Sequence, residues 1–315
     1  MPLKDEIELD DLLSTPMEAD CAALADIKEM VVIGAGGKMG PSLVARARRA
    51  APQAGVIPIT RETCDLLDRR QVDALPDSKN VIFLAGRKFG STGNEGLTWA
   101  TNALLPGFIA ERYRDARIVA LSSGNVYPLT REGANELTPP EPAGEYAQSV
   151  LARERVFEYY SGRHGTRVAL VRLNYAIDPR YGVLLDIGQQ VFARKPVSVA
   201  MGSVNVIWQG DANSAVLRSL LLATSPPFVL NVTGLEVLRV RDIALRFAKA
   251  FEVEVEFEGT EAETALLNDA QLCSRLMGPP SLDVGLMIEI TAEWIRAGHP
   301  TLNKPTHFEV RDGKY

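Results

Sequence analysis

The sequence predicts an α/β fold: a doubly wound parallel sheet followed by a smaller C-terminal α/β portion. Short apolar runs recur between stretches of helical character, as in Val31-Val-Ile33, Asn80-Val-Ile-Phe-Leu-Ala-Gly86, Ala116-Arg-Ile-Val-Ala-Leu121 and Arg167–Leu173. Such runs read as strands buried on both faces, which is how parallel sheets look in sequence. Three glycines at every third position, Gly34, Gly37 and Gly40, leave the first of these strands and open the first helix, Ser42–Arg49. The length of 315 residues suits one large α/β domain, or such a domain with a cap.

Strand, glycine turn and helix together form the Rossmann-type layout that aims backbone N–H groups and a helix N-terminus at a pyrophosphate. Gly34 permits a sharp exit from the strand, Gly37 lets backbone approach the phosphates, and Gly40 lets the helix pack close on the sheet. A plain tight turn is also Gly-rich; the strand before and the helix after distinguish the two.

Composition narrows the alternatives. The chain is 46% apolar and 23% charged, ordinary for a globular enzyme. A net charge of −6 gives no support to nucleic-acid binding. Cys21, Cys64 and Cys273 lie far apart, without metal-ligand spacing. The expectation is a reduced, cytoplasmic protein with no metal site. No run approaches a membrane span, and the N-terminus is acidic, unlike a signal peptide.

In chain order, residues 1–28 offer two short amphipathic helices around Leu9, Leu12, Leu13, Ala22, Ala23 and Ile27, with a stop at Leu12-Leu-Ser-Thr-Pro16. They are expected to pack on the domain surface or on a partner. Gly55-Val-Ile-Pro-Ile-Thr60 is a second strand, with Pro58 suggesting an edge. It ends at Thr60-Arg61, where an NAD-preferring domain usually carries an acid; Arg61 suits a 2′-phosphate and favours NADP over NAD. Glu62 beside it could serve the ribose instead. Asp65 is placed to touch the adenine and Leu66 to line its pocket, while Asp68 N-caps the next helix.

Arg87-Lys-Phe-Gly-Ser-Thr-Gly-Asn94 is a polar loop at the carboxyl edge of the sheet, where ligands of open α/β sheets bind. A helix over 95–114 contains Asn102, and a Pro/Gly-rich loop separates Pro128 from a helix over 146–163. Val150, Val156, Phe157 and Tyr160 are available there for core packing, and Glu154 and Arg155 read as structural. Further on, 181–192 reads as a helix. Residues 196–200 and 204–208 read as a strand pair around Met201-Gly-Ser, and Asp211 as a helix N-cap. A strand at 228–232, a helix at 239–251, a strand at 253–257 and helices around 269–276 and 282–297 follow. The tail, 301–315, has Phe308, Val310 and Tyr315 to bury and is expected to pack over its own cleft or on another subunit.

These pieces carry a resemblance. Gly34-x-x-Gly37-x-x-Gly40, Asp65-Leu66, Leu84-Ala-Gly86, Thr101-Asn-Ala103, Ser122-Ser-Gly-Asn-Val-Tyr127, Tyr146-x-x-Ser149, Val171-Arg-Leu173 and Asn231-Val-Thr-Gly234 occur in the order found in extended short-chain dehydrogenase/reductases. The chain resembles the NAD-dependent epimerase/dehydratase family over residues 30–255, and its short second-strand region resembles the dTDP-4-dehydrorhamnose reductase branch.

The resemblance implies an NAD(P)-binding Rossmann domain (29–175, with strands added from the C-terminal half) and a mainly substrate-binding domain (176–300), flanked by the helical extension (1–28) and the tail (301–315) read above. It implies cofactor contacts from Gly34, Gly37, Lys38, Met39, Gly40, Arg61, Asp65, Leu66, Ala85, Gly86, Asn102 and Tyr146. Substrate contacts are implied for Asn125, Asn174 and Tyr175. Ser123 takes the position that hydrogen-bonds the reacting oxygen, and Tyr146 the acid/base position. The substrate class is a sugar or nucleotide-sugar, and a homodimer is the family's common assembly.

One position departs from the family. A phenol has a pKa near 10, and the family lowers it with a Lys four residues later, on the same helix face. Here that position is Val150. Lys88, in the loop expected to border the nicotinamide, is the chosen replacement, although a solvent-facing Lys is the plainer reading. Lys38 could neutralise cofactor phosphate. The expectation is an NAD(P)-dependent oxidoreductase or epimerase. The alternative is a member that binds NAD(P) without turnover, as a sensor or regulatory partner.

Overall fold

The structure, a computed structural model, describes residues 3–88 and 93–314. One six-stranded parallel sheet runs through it, built from β1 (Glu29–Ile33), β2 (Gly55–Ile59), β3 (Asn80–Phe83), β4 (Arg117–Ser123), β5 (Arg167–Leu173) and β6 (Phe228–Val232). The spatial order is β6-β5-β4-β3-β1-β2. Pro58 sits in β2 at the sheet's edge, where its missing N–H interrupts no second ladder.

Alternation along each strand sorts the two faces. Met30 and Val32 point to the face covered by α3 (Gly40–Ala50) and α9 (Gln209–Arg218). Val31 and Ile33 point to the face covered by α4 (Arg69–Asp73), α6 (Leu105–Arg112) and α7 (Gly144–His164). Between α5 (Glu95–Trp99) and α6 the helix widens into a π-turn, Ala100–Leu104. A third core lies in the C-terminal half, among α8 (Val183–Phe192), α10 (Val240–Phe251) and α12 (Val284–Arg296). Among the described residues no helix is long and apolar enough to cross a membrane.

The N-terminal extension is more deeply built in than a surface appendage. It forms α1 (Glu6–Ser14) and α2 (Glu18–Leu24), with Asp5 capping α1 by accepting from the Glu8 N–H. Leu9 and Leu13, one helical turn apart, are fully buried in the C-terminal core. Asp20 is buried too: it pairs with Arg46 of α3 at 2.6 Å and accepts from Ser214 Oγ of α9 at 2.5 Å. The extension therefore closes the joint between the halves.

The strand pair expected across Met201-Gly-Ser does not form. Val197–Ser198 pairs with Phe257–Glu258, Ser203–Val204 with Leu238–Arg239, and Ile207–Trp208 with Ala176–Ile177. Val197, Val199, Val204, Val206 and Trp208 are all buried in the same core. Their burial is what the apolar pattern records, and it leaves the partner unspecified. The strand expected over 253–257 shrinks to Phe257–Glu258, after Glu252 ends α10 in a left-handed conformation.

Candidate active site

Because all six strands are parallel, their carboxyl ends share one edge, and there the site assembles. Gly34 leaves β1 with φ +82°, and a Cβ on it would stand 2.6 Å from the Ala85 nitrogen. The Gly34 and Ala35 N–H groups both donate to the Ile59 carbonyl at 3.0 Å, closing the turn against β2. A Cβ on Gly40 would lie 2.1 Å from the Ala35 carbonyl oxygen. Gly40 is therefore required by closure of the turn itself, a different reason from the helix–sheet packing expected of it. Gly36 and Gly37 are exposed, and among the described residues the N–H groups of Gly36, Lys38 and Met39 have no backbone acceptor. Free N–H groups ahead of the N-terminus of α3 fit a pyrophosphate. The Met39 side chain itself is buried in the core of one sheet face.

The Lys38 ammonium points elsewhere. Its Nζ donates to the Ala176 carbonyl at 2.5 Å and lies 4.1 Å from the centroid of the Tyr181 ring. Burial pushes its pKa down to about 8, partly offset by Asp178. Lys38 thus ties the glycine turn to the segment Ala176–Tyr181, away from the phosphate position expected for it.

At the end of β2 the Thr60 methyl lies 3.7 Å from a Cβ on Gly36, so Arg61 and Glu62, both exposed, flank the same turn. The Asp65 carboxylate accepts from the Leu67 N–H at 3.0 Å and stays exposed, while Leu66 packs on the neighbouring core. Asp68 caps α4 through the Arg70 N–H. Ala85 is buried against Gly34, and Gly86 follows. Of the polar loop expected at 87–94, residues 89–92 lie outside the described residues.

Ser123 ends β4 and Tyr146 sits in the first turn of α7, yet the two side chains come near enough for the Ser123 hydroxyl to act on the phenol. Ser123 Oγ also donates to Asn125 Oδ1 at 2.9 Å. Burial raises the Tyr146 pKa; the Arg153 charge and the nearby Ser123 hydroxyl pull it back. Val150 lies buried with Val126, Tyr127 and Ala134 and supplies no charge. Lys88 does border the site: its Nζ is 5.9 Å from the Tyr146 ring centroid and donates to the Thr306 carbonyl at 3.3 Å. Burial pushes the Lys88 pKa down to about 8.

Two further groups were not legible beforehand. Arg153 lies two turns along α7 from Tyr146, on the same helix face. Its guanidinium donates to Leu121 O at 2.6 Å and Asn102 Oδ1 at 2.8 Å, and a Cβ on Gly86 would come within 2.7 Å of it. Burial lowers its pKa to about 10. Tyr181 carries the Lys38 ammonium on its ring; burial raises its pKa, and the charges of Asp186 and Tyr146 add to the rise.

Asn102, in the π-turn, has a structural task. It accepts from the Arg87 N–H and donates to Arg87 O and Ser149 Oγ, pinning the chain after β3 to α7. Asn174 is 3% exposed and donates to Asn205 Oδ1 and Leu266 O, so it joins the two halves instead of facing a ligand. Tyr175 takes φ +41°, unusual for a bulky residue. Asp211 does not cap α9; it accepts from the Ser281 N–H at 2.9 Å, because Trp208 holds the cap position and Asp211 lies a turn further in. Glu154 pairs with Arg172 at 2.7 Å and accepts from Ser122 Oγ, a fully buried structural group.

The model of the NAD dependent epimerase/dehydratase family matches residues 30–182. Over that stretch, just under half of its length, the chain is similar to this family. Solved structures agree on the fold. MoeE5 in complex with UDP-glucose and NAD has a TM-score of 0.72 at 19% identity, over 86% of this chain and 99% of that one. RMD from Pseudomonas aeruginosa, complexed with NADPH, has a TM-score of 0.72 at 22% identity, over 85% and 99%. The UDP-glucose 4-epimerase of Thermus thermophilus, in complex with NAD, has a TM-score of 0.69 at 20% identity, over 85% and 99%. No curated protein matches the chain in sequence.

Proposed function

We propose that this protein is an NAD(P)-dependent oxidoreductase or epimerase acting on a sugar-type alcohol or ketone. The observation that carries the reading is the meeting of Ser123 and Tyr146, from separate elements, at the sheet edge that also holds the glycine turn. The match to the epimerase/dehydratase family model and neighbours described with NAD, NADPH and UDP-glucose support the cofactor and the sugar class.

When bound, the nicotinamide nucleotide supplies or accepts the hydride. The turn at Gly34–Gly40 would hold its pyrophosphate, and Arg61, at the end of β2, would favour a 2′-phosphate. Ser123 would orient the reacting oxygen by hydrogen bonding. Tyr146, whose burial keeps its proton on, would deliver that proton to the oxygen during reduction and regain it during oxidation. Lys88 would add positive charge beside the Tyr146 ring.

The test is titration with NAD+, NADH, NADP+ and NADPH, followed by a carbonyl and sugar panel read at the nicotinamide absorbance. Micromolar binding of one redox pair with turnover of a panel member is expected; no binding of any of the four removes the reading. The burial of Val150 in an apolar cluster, where it offers no charge of its own, favours a second reading, a cofactor-binding regulatory protein. Tight NADPH binding with no oxidation by any carbonyl would select it.

A further inference from the structure

Beside Asn125, which holds Ser123, lies a cavity of about 210 Å³. Asn125 and Glu141 give it polar groups, Met201 and Leu266 an apolar wall, and Val310 and Arg311 close it from the C-terminal segment. That segment has no helix or strand, but it is fixed at four places. The Thr306 N–H and Oγ–H both donate to Asp186 Oδ2, at 2.7 and 2.5 Å. Phe308 is 2% exposed within the C-terminal core. Arg311 donates to Thr264 O at 2.5 Å and Thr264 Oγ1 at 2.9 Å. The Gly313 carbonyl oxygen lies 2.4 Å from where a Cβ on Gly144 would stand, two residues before Tyr146. The segment thus spans from the Lys88 side of the cleft to the start of α7.

We propose that residues 306–313 set the size of the substrate, so that the site takes a free monosaccharide or a similarly small polyhydroxy compound and excludes a nucleotide-linked sugar. The proposal rests on the redox reading above and narrows it. Two independent features support it. The cavity falls below the roughly 300–1,000 Å³ of pockets that enclose drug-sized ligands. A nucleotide-linked sugar brings a base, a ribose and two phosphates in addition to the hexose. Charge disfavours that anion as well. The lining cation, Arg311, is committed to Thr264, and the Glu141 carboxylate lines the same cavity. Polar groups facing an apolar wall match the hydroxyl edge and C–H face of a sugar ring.

The test is isothermal titration of the full chain, with and without saturating NADPH, against UDP-glucose, dTDP-glucose and a panel of free aldohexoses, deoxyhexoses and their lactones. At least one free sugar should bind, and neither nucleotide sugar should. Val310→Trp, which fills the cavity, should weaken that sugar about tenfold or more and leave NADPH affinity unchanged. Binding of UDP-glucose or dTDP-glucose to the full chain overturns the proposal. So does the absence of any sugar binding, or sugar affinity untouched by Val310→Trp. Loss of NADPH binding, read in its own titration, counts against the redox reading alone, since the titrations without NADPH still decide size.

Discussion

Arg153 Nη2 donates to Asn102 Oδ1 at 2.8 Å, and with Leu121 O this makes its strongest contacts neutral amide oxygens. Among the described residues no carboxylate forms an ion pair with it. A buried guanidinium with no direct ion pair, and Glu154 acting on it only through space, keeps field for another anion nearby, and Tyr146 is a group on which that field acts. Arg153 therefore supplies, two turns along α7, the positive charge that Val150 cannot supply one turn along.

Arg153→Met should raise the Tyr146 pKa. Each unit of rise removes about tenfold of the tyrosinate available at neutral pH, so alcohol oxidation should slow by about that factor. Carbonyl reduction, which uses the protonated phenol, should keep its rate and extend it to higher pH. Arg153→Lys should restore part of the oxidation rate. Parallel pH–rate profiles in both directions measure this; equal losses in both would place Arg153 in packing alone.

Lys88→Met should lower kcat by about 10²–10⁴-fold if the ammonium assists at the reacting oxygen. The sign with pH follows from a pKa of about 8: the charge is present below that value and lost above it. The wild-type profile should fall above pH 8, and the variant should lack this fall. NADPH affinity should be unchanged, because Lys88 contacts Thr306 and the Tyr146 ring and lies outside the glycine turn.

Much of this arrangement was legible in the sequence. Val31 to Gly40 specified a strand, a turn and a helix locally, and Ser123 and Tyr146 sat in short motifs that keep their spacing. Arg153 was not legible, because its importance depends on Gly86, Leu121 and Asn102 arriving from three other segments. The strand partners of 197–208 were hidden for a related reason: buried extended chain looks the same whichever neighbour it pairs with. Asp211 looked like a cap because an acid near a helix start usually is one, and only the approach of Ser281 reveals its other use.

Asp20→Ala should destabilise the fold by about 3–5 kcal/mol, since it leaves the buried Arg46 guanidinium without its partner. Adding Arg46→Met should recover a large part of the loss, because the uncompensated charge then disappears. Denaturant unfolding of the wild type and the three variants forms the cycle. Independent, additive losses would show that the extension is not tied to α3 through this pair.

Lys38 gives a pH dependence with a definite sign. Its folded pKa, about 8, lies below the ordinary 10.5, so between these values the unfolded chain binds more protons. Stability contributed through Lys38 must then rise with pH across that window and stay flat below it. Lys38→Met removes the titration, along with the contacts to Ala176 and Tyr181, whose loss is a constant offset. The difference in unfolding free energy, wild type minus variant, should therefore climb from pH 8 to 10.5. Lys88, present in both proteins, cancels from the comparison. A flat difference would mean that the ammonium reaches solvent and that the link between the glycine turn and the segment Ala176–Tyr181 is not held by a buried charge.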